Sequence, residues 1–241
     1  MKKLILFLGI GLITPIGIVF GQNQEGVITY EIRINVHRTL PPDQEGRKAM
    51  IPEFRTFKEQ LYFNAGESLC KPLIEDEEDD DSDRGGRPRR RFQPRTQVYC
   101  NQSSGKITTL QELSGKNYLI SDSVKVAPWK LGTDLKTVQG YVCKQAYYTD
   151  DERKQTITAW YTDVLRSFLG PDRYNSLPGA VLAIDINNGE RVIAATQIEV
   201  RPLKKNELKE PTIGQKITEK EFRKLMQEQM RNRGRGSMPL N

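Results

Sequence analysis

Few residues in this chain have side chains suited to catalysis by nucleophile or metal. There are three cysteines, Cys70, Cys100 and Cys143, and a single histidine, His37. No Cys-x-x-Cys pair occurs, so the ligand spacing of a zinc site is missing. A single histidine gives little support for a Ser-His-Asp triad, and the Gly-x-Ser-x-Gly elbow is absent. We therefore predict no catalytic set, no bound metal and no cofactor.

Carboxylates are the remaining source of acid-base chemistry. Asp163 and Asp172 flank a turn-rich segment, and Asp185 lies in the apolar run that follows it. Two carboxyl groups about 5 to 10 Å apart can act as the acid and the base or nucleophile of a hydrolase. Each of the three is also an ordinary strand-end or turn residue. A carboxylate-dependent hydrolase is therefore the alternative to a protein without catalytic activity.

The N-terminus predicts export. Lys2 and Lys3 precede an apolar stretch from Leu4 to Phe20, and Gly21 provides a small residue at the expected cleavage site. This is the pattern of a cleaved signal peptide covering residues 1–21. A retained membrane anchor is the other interpretation, but the stretch is short for a span of about 20 residues and contains Pro15. We expect no transmembrane segment after cleavage. The expected location is the periplasm or the outer membrane surface, or the medium if the protein is secreted.

Export places the cysteines in a compartment where disulfides form. An odd number of cysteines predicts one bond and one leftover thiol. A bond between Cys70 and Cys100 would join the two ends of a charged insertion, and this is the pairing that we favour. A bond between Cys100 and Cys143 across neighbouring strands is the alternative.

The dominant period of the sequence is two. In VITYEIRINV, residues 27–36, Ile28, Tyr30 and Ile32 share one face and polar residues share the other, as in a half-buried strand. Short turns such as Asn187-Asn188-Gly189 favour antiparallel links. We predict a mainly β fold, an antiparallel meander forming a curved sheet, half-barrel or barrel over residues 22–215. The other predicted strands are 57–64, 96–101, 106–112, 116–121, 138–149, 154–162, 179–186 and 191–201.

Residues 216–241 are predicted to form a helix and a basic tail. Thr218-Glu219-Lys220-Glu221 has the pattern of a capping box, and an apolar stripe begins at Phe222. This stripe could cover the sheet or bind a partner. The segment holds seven basic and three acidic residues, which favours contact between the tail and an anionic surface.

A second biased segment interrupts the domain at about residues 71–95. Eight of the nine residues from Glu75 to Asp83 are acidic, and six arginines follow from Arg84 to Arg95. Such blocks do not bury apolar surface, and their opposite charges cancel much of each other's field. No nucleic-acid recognition motif is present, so we expect no nucleic acid partner.

The candidate binding residues are aromatic and polar groups between positions 141 and 174. Aromatic side chains bury large areas and, in Tyr and Trp, also carry a polar group. Strict alternation predicts Tyr141 and Tyr147 on one face and Tyr148 on the other. The predicted binding set, without a known ligand, is Tyr141, Trp160, Tyr161, Asp172, Arg173 and Tyr174.

These residues lie within a series of motifs at characteristic spacing: Gly140-Tyr141-x-Cys143, Ala159-Trp160-Tyr161-Thr162, Gly170-Pro171 and Leu177-Pro178-Gly179, with Trp129-Lys130 upstream. The series resembles the GLPGLI family of exported proteins from Gram-negative bacteria. Ser176 stands where the family motif has its first glycine. The resemblance implies export, a β-rich domain and a place in the cell envelope, in some cases near outer-membrane transport proteins. It implies no catalytic residues.

Together these observations predict a non-enzymatic exported protein of the cell envelope, a binding or accessory module of unknown ligand. Envelope or outer-membrane transport proteins are the expected partners. The alternative remains a carboxylate-dependent hydrolase acting on envelope sugars or peptides.

Overall fold

The structure, a computed structural model, describes residues 24–74 and 95–235. The predicted signal peptide, most of the charged insertion and the last residues of the basic tail lie outside the described residues. No helix in the described ranges is long and apolar enough to cross a membrane.

Twelve strands and two α-helices make up the described chain. The strands are β1 (Gly26–Asn35), β2 (Phe54–Phe63), β3 (Glu67–Pro72), β4 (Gln97–Asn101), β5 (Lys106–Leu113), β6 (Lys116–Ser123), β7 (Lys130–Val138), β8 (Tyr141–Asp150), β9 (Gln155–Thr162), β10 (Ala180–Ile186), β11 (Arg191–Val200) and β12 (Gln215–Thr218). The helices are α1 (Val36–Thr39) and α2 (Glu219–Arg235), and a 3-10 helix spans Pro42–Met50.

All twelve strands belong to one sheet, in the order β12-β6-β5-β4-β3-β2-β1-β11-β10-β9-β8-β7. Neighbours in this order pair antiparallel, with the exception of β12, which runs parallel to β6. The prediction of a mainly β meander with a C-terminal helix is confirmed. The sheet is mixed and open, so of the predicted shapes the closed barrel is wrong.

Period-two alternation decides which side of the sheet is buried. Ile28, Tyr30 and Ile32 of β1 are fully buried on what we call the inner face, whereas Arg33 points to the opposite, outer face. The strand register carries this pattern across to Ile193 of β11, opposite Ile32. Burial of the aliphatic row stabilises the sheet at about 25 cal/mol per Å² of apolar surface.

Residues 163–179 connect β9 to β10 in the chain, and we call them the crossing segment. This segment packs against the inner face of the sheet. Its buried apolar side chains are Leu165, Leu169, Tyr174 and Leu177, which join the main core. Arg166 donates hydrogen bonds to the Glu67 carbonyl and to Gln102 Oε1, both at 2.9 Å. The crossing segment is therefore held against β3 and the start of the β4–β5 turn.

Two glycines of the crossing segment allow close backbone approaches. A Cβ at Gly170 would lie 2.0 Å from the Tyr174 carbonyl oxygen, and one at Gly179 would lie 2.2 Å from that of Thr162. Both distances are far inside van der Waals contact. The Gly-Pro and Leu-Pro-Gly breaks of the sequence thus have a structural role as corners of this segment.

A second, smaller core lies under α2. Phe222 is buried against Tyr118 of β6, with ring centroids 5.6 Å apart in an edge-to-face arrangement. The predicted capping box is present, since Thr218 N–H donates to Glu221 Oε2 at 2.9 Å and Glu221 N–H donates to Thr218 Oγ1 at 3.3 Å. The first turns of the apolar stripe therefore cover the sheet, whereas Met230 stays exposed.

The predicted disulfide between Cys70 and Cys100 is absent from the structure. All three cysteines, Cys70, Cys100 and Cys143, are buried free thiols. The register pairs Cys70 with Val98 and Cys100 with Ser68, which makes the two cysteines diagonal neighbours. Diagonal positions lie about 7 to 8 Å apart, too far for the usual disulfide geometry. Cys100 belongs to β4 and Cys143 to β8, with six strands between them in the sheet, so the alternative bond between these two cysteines is also wrong.

Strict alternation also fails in β8. Tyr141 and Tyr148 both pack against the main core, and Tyr147 is exposed. The buried positions change phase between Cys143 and Ala146. The prediction that Tyr141 and Tyr147 share a face is therefore wrong.

Candidate functional site

The six predicted binding residues do not form one site. Tyr161 and Tyr174 are buried in the main core, and Tyr141 is half-buried against it. Trp160 points from β9 to the outer face, because its neighbours Ala159 and Tyr161 are the buried ones. Asp172 and Arg173 lie together in the crossing segment.

Trp160 lies in an open groove of about 490 Å³ on the outer face. The register of three neighbouring strands builds this groove, since Gln145 pairs with Trp160 and Thr158 pairs with Asp185. We call it the outer groove, and its lining residues are Gln145, Thr156, Thr158, Trp160, Asp185, Asn187 and Asn188.

One end of the outer groove is formed by the turn between β10 and β11. Asn187 and Asn188 both adopt left-handed backbone, with φ of 52°, which suits asparagine in a tight hairpin. Arg38 donates hydrogen bonds to both of their carbonyl oxygens, at 2.9 and 2.7 Å. Asp185 Oδ1 accepts from the Gly189 N–H at 2.6 Å. The turn is thus fixed from both sides.

The other end is formed by Trp160, Gln145 and residues of the edge strand β7. Lys136 Nζ lies 4.7 Å from the centroid of the Trp160 ring, a cation-π contact. Gln145 Nε2 donates to Asp134 Oδ2 at 3.2 Å. A Cβ at Gly132 would lie 2.1 Å from Gln145 Oε1, so the absence of a side chain at Gly132 leaves room for this amide.

Several polar groups of the outer groove have no hydrogen-bond partner among the described residues. They are the Thr158 hydroxyl, the Trp160 Nε1–H, the second carboxylate oxygen of Asp185 and the Asn188 side-chain amide. Asn187 differs, because its amide is used by the Thr156 N–H and by Glu190. The groove can therefore donate and accept hydrogen bonds around an aromatic ring.

A second polar group of residues lies on the inner face, and we call it the inner acid cluster: Glu59, Cys70, Asp172 and Arg191. Glu59 belongs to the inner face because it pairs with Tyr30. Cys70 Sγ donates to Glu59 Oε2 at 3.5 Å. Burial raises the pKa of Glu59, and the nearby Asp172 carboxylate raises it further, against the opposing effect of Arg191. Burial also raises the pKa of Cys70, which makes it a poor nucleophile.

The three carboxylates of the hydrolase alternative lie in different places and do not form one site. Asp172 lies beside Glu59 on the inner face. Asp163 forms an exposed ion pair with Lys144 at 2.6 Å. Asp185 lines the outer groove and pairs with Thr158, which precedes Asp163 by five residues. Asp185 and Asp163 are therefore about 16 Å apart along the strand direction. Of the three, Asp172 is the one that lies within electrostatic reach of the half-buried Glu59 carboxyl.

Two residues of the sequence motifs contact each other across the fold. Trp129 Nε1 donates to Ser176 Oγ at 3.0 Å, and the Ala127 N–H donates to the same oxygen at 3.2 Å. Trp129 also packs edge-to-face on Tyr148, with centroids 4.6 Å apart. Ser176, the departure from the GLPGLI pattern, therefore binds the chain entering β7 to the crossing segment.

Within the described residues, no group of three or more His, Cys, Asp and Glu side chains could hold a metal ion.

The predicted site residues did not include Gln145, Thr158 and Asn188 of the groove, nor Glu59 and Arg191 of the inner acid cluster. The signal for the groove was available in part, because the Asn187-Asn188-Gly189 turn sets the register of β10 and β11. The inner acid cluster gave no local signal, since Asp172 and Arg191 are more than a hundred positions from Glu59 and Cys70 in the sequence.

The solved structures with a fold similar to this chain include two structures of PNGF-II. The structure in space group C2 is 18% identical with a TM-score of 0.57, and the chain covers 84% of its own length and 32% of that chain. The structure in space group P21 is also 18% identical, with a TM-score of 0.56 and coverage of 84% and 33%. The chain thus spans about a third of the length of these structures, and the likeness concerns the fold alone. Neither the comparison with protein-family models nor that with curated proteins finds a match, so the resemblance to the GLPGLI family stays a prediction.

Proposed function

We propose that this chain is a non-enzymatic binding module exported to the cell envelope, and that the outer groove is its ligand site. The observation that carries the proposal is the Trp160 ring beside several polar groups that have no hydrogen-bond partner within the part of the chain that the structure describes. Small-molecule sites combine an aromatic surface with a few polar groups that fix orientation. The volume of about 490 Å³ falls in the range of about 300 to 1,000 Å³ of such sites.

The comparison with PNGF-II supports the role of a module. There the same fold makes up about a third of a longer chain. The resemblance to the GLPGLI family supports export and an accessory role beside envelope or outer-membrane transport proteins. The basic residues of the C-terminal segment favour contact with an anionic surface.

Binding is tested with Trp160 as its own probe. The chain has two tryptophans, so Trp129→Phe leaves Trp160 as the single one. Fluorescence titration of this variant against neutral oligosaccharides, uronate oligomers and zwitterionic tripeptides should show saturable binding of one class. No saturable change with any class would overturn the proposal.

Export is tested separately. A C-terminally tagged full-length chain, expressed in a Gram-negative host, should be found in the periplasmic or outer-membrane fraction. Its mass should be that of a chain whose first residue is Gln22. Retention in the cytoplasm at full mass would contradict export.

The inner acid cluster favours the hydrolase as a second candidate. A buried acid with a raised pKa beside a second carboxylate is the arrangement of a general acid and its partner. In this case Glu59 would donate the proton and Asp172 would act as base or nucleophile. Products detected by mass spectrometry after incubation with peptidoglycan fragments, and lost in Glu59→Gln, would support the hydrolase.

A further inference from the structure

We propose that the ligand of the outer groove is a neutral carbohydrate, with a sugar ring stacked on Trp160. This inference rests on the proposed function, because it names the ligand class of the same groove.

The first argument is the aromatic surface. Trp160 projects from the middle of three paired strands, so its ring is supported from below by the sheet. Lys136 Nζ lies over the ring at 4.7 Å, and Lys136 itself is exposed on the edge strand. Because the Lys136 side chain is flexible and solvated, a ligand can displace it from the Trp160 ring. The C–H face of a pyranose matches the electron-rich face of an indole ring, and the exchange leaves the lysine free to move into solvent.

The second argument is the mixture of hydrogen-bonding groups. A sugar hydroxyl donates one hydrogen bond and accepts others, so its site needs both acceptors and donors. Among the described residues, one Asp185 carboxylate oxygen and the Asn188 side-chain amide have no partner, and Gln145 keeps Oε1 as an acceptor because its Nε2 donates to Asp134. The Thr158 hydroxyl can act in either sense. Groups of both kinds surround the one ring, which suits a ligand carrying a hydroxyl on almost every carbon.

The third argument is charge. Asp185 is the single acid that lines the groove. Lining residues also contact two bases, Lys136 and Arg38, and two further acids, Asp134 and Glu190. Charges of both signs therefore nearly balance around the groove, so neither a polyanion nor a cation is favoured. A bound uronate would also place its carboxylate near Asp185. A neutral glycan meets no such cost.

The fourth argument separates sugars from peptides. An extended peptide binds a sheet by adding a strand to an open edge. The outer groove lies on the face of β8, β9 and β10, whose backbone groups are already paired on both sides. The groove therefore provides side chains but no free backbone ladder.

The experiment titrates the full mature chain with chitohexaose, maltohexaose and laminarihexaose by isothermal calorimetry. An α-1,4-galacturonate hexamer and trialanine serve as the charged and peptide probes. We expect saturable binding of at least one neutral hexasaccharide, at least tenfold tighter than the uronate and the peptide. Trp160→Ala should weaken it at least tenfold, and Asp185→Asn should weaken it several-fold.

A matched control is available on the same face. Phe54 is also an exposed strand aromatic with a cation over its ring, Arg33 at 5.1 Å, but it lies outside the groove. Phe54→Ala should leave sugar affinity unchanged. A second variant, Gly132→Ala, should displace the Gln145 amide and weaken sugar binding without removing any lining side chain.

The outcomes are distinguishable. Saturable binding of the uronate or the tripeptide, lost in Trp160→Ala, with no binding of neutral sugars would overturn the carbohydrate class and leave the binding function standing. No binding of any probe would overturn both. Sugar binding that is equal in wild type and Trp160→Ala would overturn the assignment to this groove.

Discussion

The thiol of Cys70 donates a hydrogen bond to the carboxyl of Glu59, on the inner face of the sheet and within the field of Asp172. A buried thiol and two half-buried acids thus lie on the face of the sheet that the crossing segment covers. This arrangement makes the stability of the fold depend on the protonation of Glu59.

The first prediction follows from the pKa of Glu59, which burial raises above its ordinary value near 4.5. The folded state therefore holds a proton that the unfolded state has lost, and the free energy of unfolding falls as pH rises above about 4.5, until the folded pKa is passed. The slope from this group is at most about 1.4 kcal/mol per pH unit.

Glu59→Gln keeps a hydrogen-bond acceptor for Cys70 and has no proton to lose. Urea denaturation between pH 4 and 8 should show the variant gaining stability over wild type as pH rises. Glu152→Gln, in the exposed turn after β8, is the control for loss of one carboxylate. A difference between Glu59→Gln and wild type that does not change with pH would contradict the prediction.

The second prediction concerns the thiols. Because Cys70, Cys100 and Cys143 are buried and unpaired, the native protein should react slowly with a thiol reagent. In denaturant without reductant, all three cysteines should react. One reactive thiol per denatured chain would instead show that a disulfide forms.

The third prediction concerns the crossing segment. Gly179→Ala places a Cβ against the Thr162 carbonyl oxygen, so one of two backbone segments must move. We expect a loss of about 2 to 3 kcal/mol in the free energy of unfolding. Gly46→Ala is the matched control, because a Cβ there meets no atom within 4 Å. Equal thermal midpoints for the two variants would mean that the corner relaxes freely.

The fourth prediction concerns the start of α2. Thr218→Ala removes one half of the capping box and should cost about 1 kcal/mol. Hydrogen exchange should become faster in the first turns of α2, while the amides of β1 and β11 stay protected. Thr212→Ala, an exposed threonine a few residues earlier, should change neither.

Most strands were predictable because alternation of buried and exposed residues is a local signal. It identified β1 and the β10–β11 hairpin, and the capping pattern identified the start of α2. Three strands were missed, and they lack that signal. In β3 the buried residues Ser68, Leu69 and Cys70 are consecutive and do not alternate with exposed ones. The edge strand β7, KLGTDLKTV, buries only Val138 among its nine residues, and β12 has four residues with none buried. These segments form strands because neighbouring strands of the sheet pair with their backbones.

The candidate sites depend on distances that the sequence does not contain. Trp160 was identified as an aromatic candidate, but its partners in the groove follow from the register of three strands. Tyr161 was a candidate for the same reason and is buried instead. The pairing of Glu59 with Asp172 joins β2 to the crossing segment, more than a hundred positions later, and no spacing rule predicts such a contact.

The place of β1 in the middle of the sheet has a consequence for folding. Its one neighbour, β2, follows it directly in the chain, but its other neighbour, β11, ends at Val200. A growing chain can therefore form the β1–β6 hairpins early. The second edge of β1 stays unpaired until β11 has been synthesised, which requires nearly the whole sequence. Until then a long apolar strand is open to other chains, which favours aggregation. Closing so distant a pair is slow, and we expect the joining of β1 and β11 to limit the rate of folding.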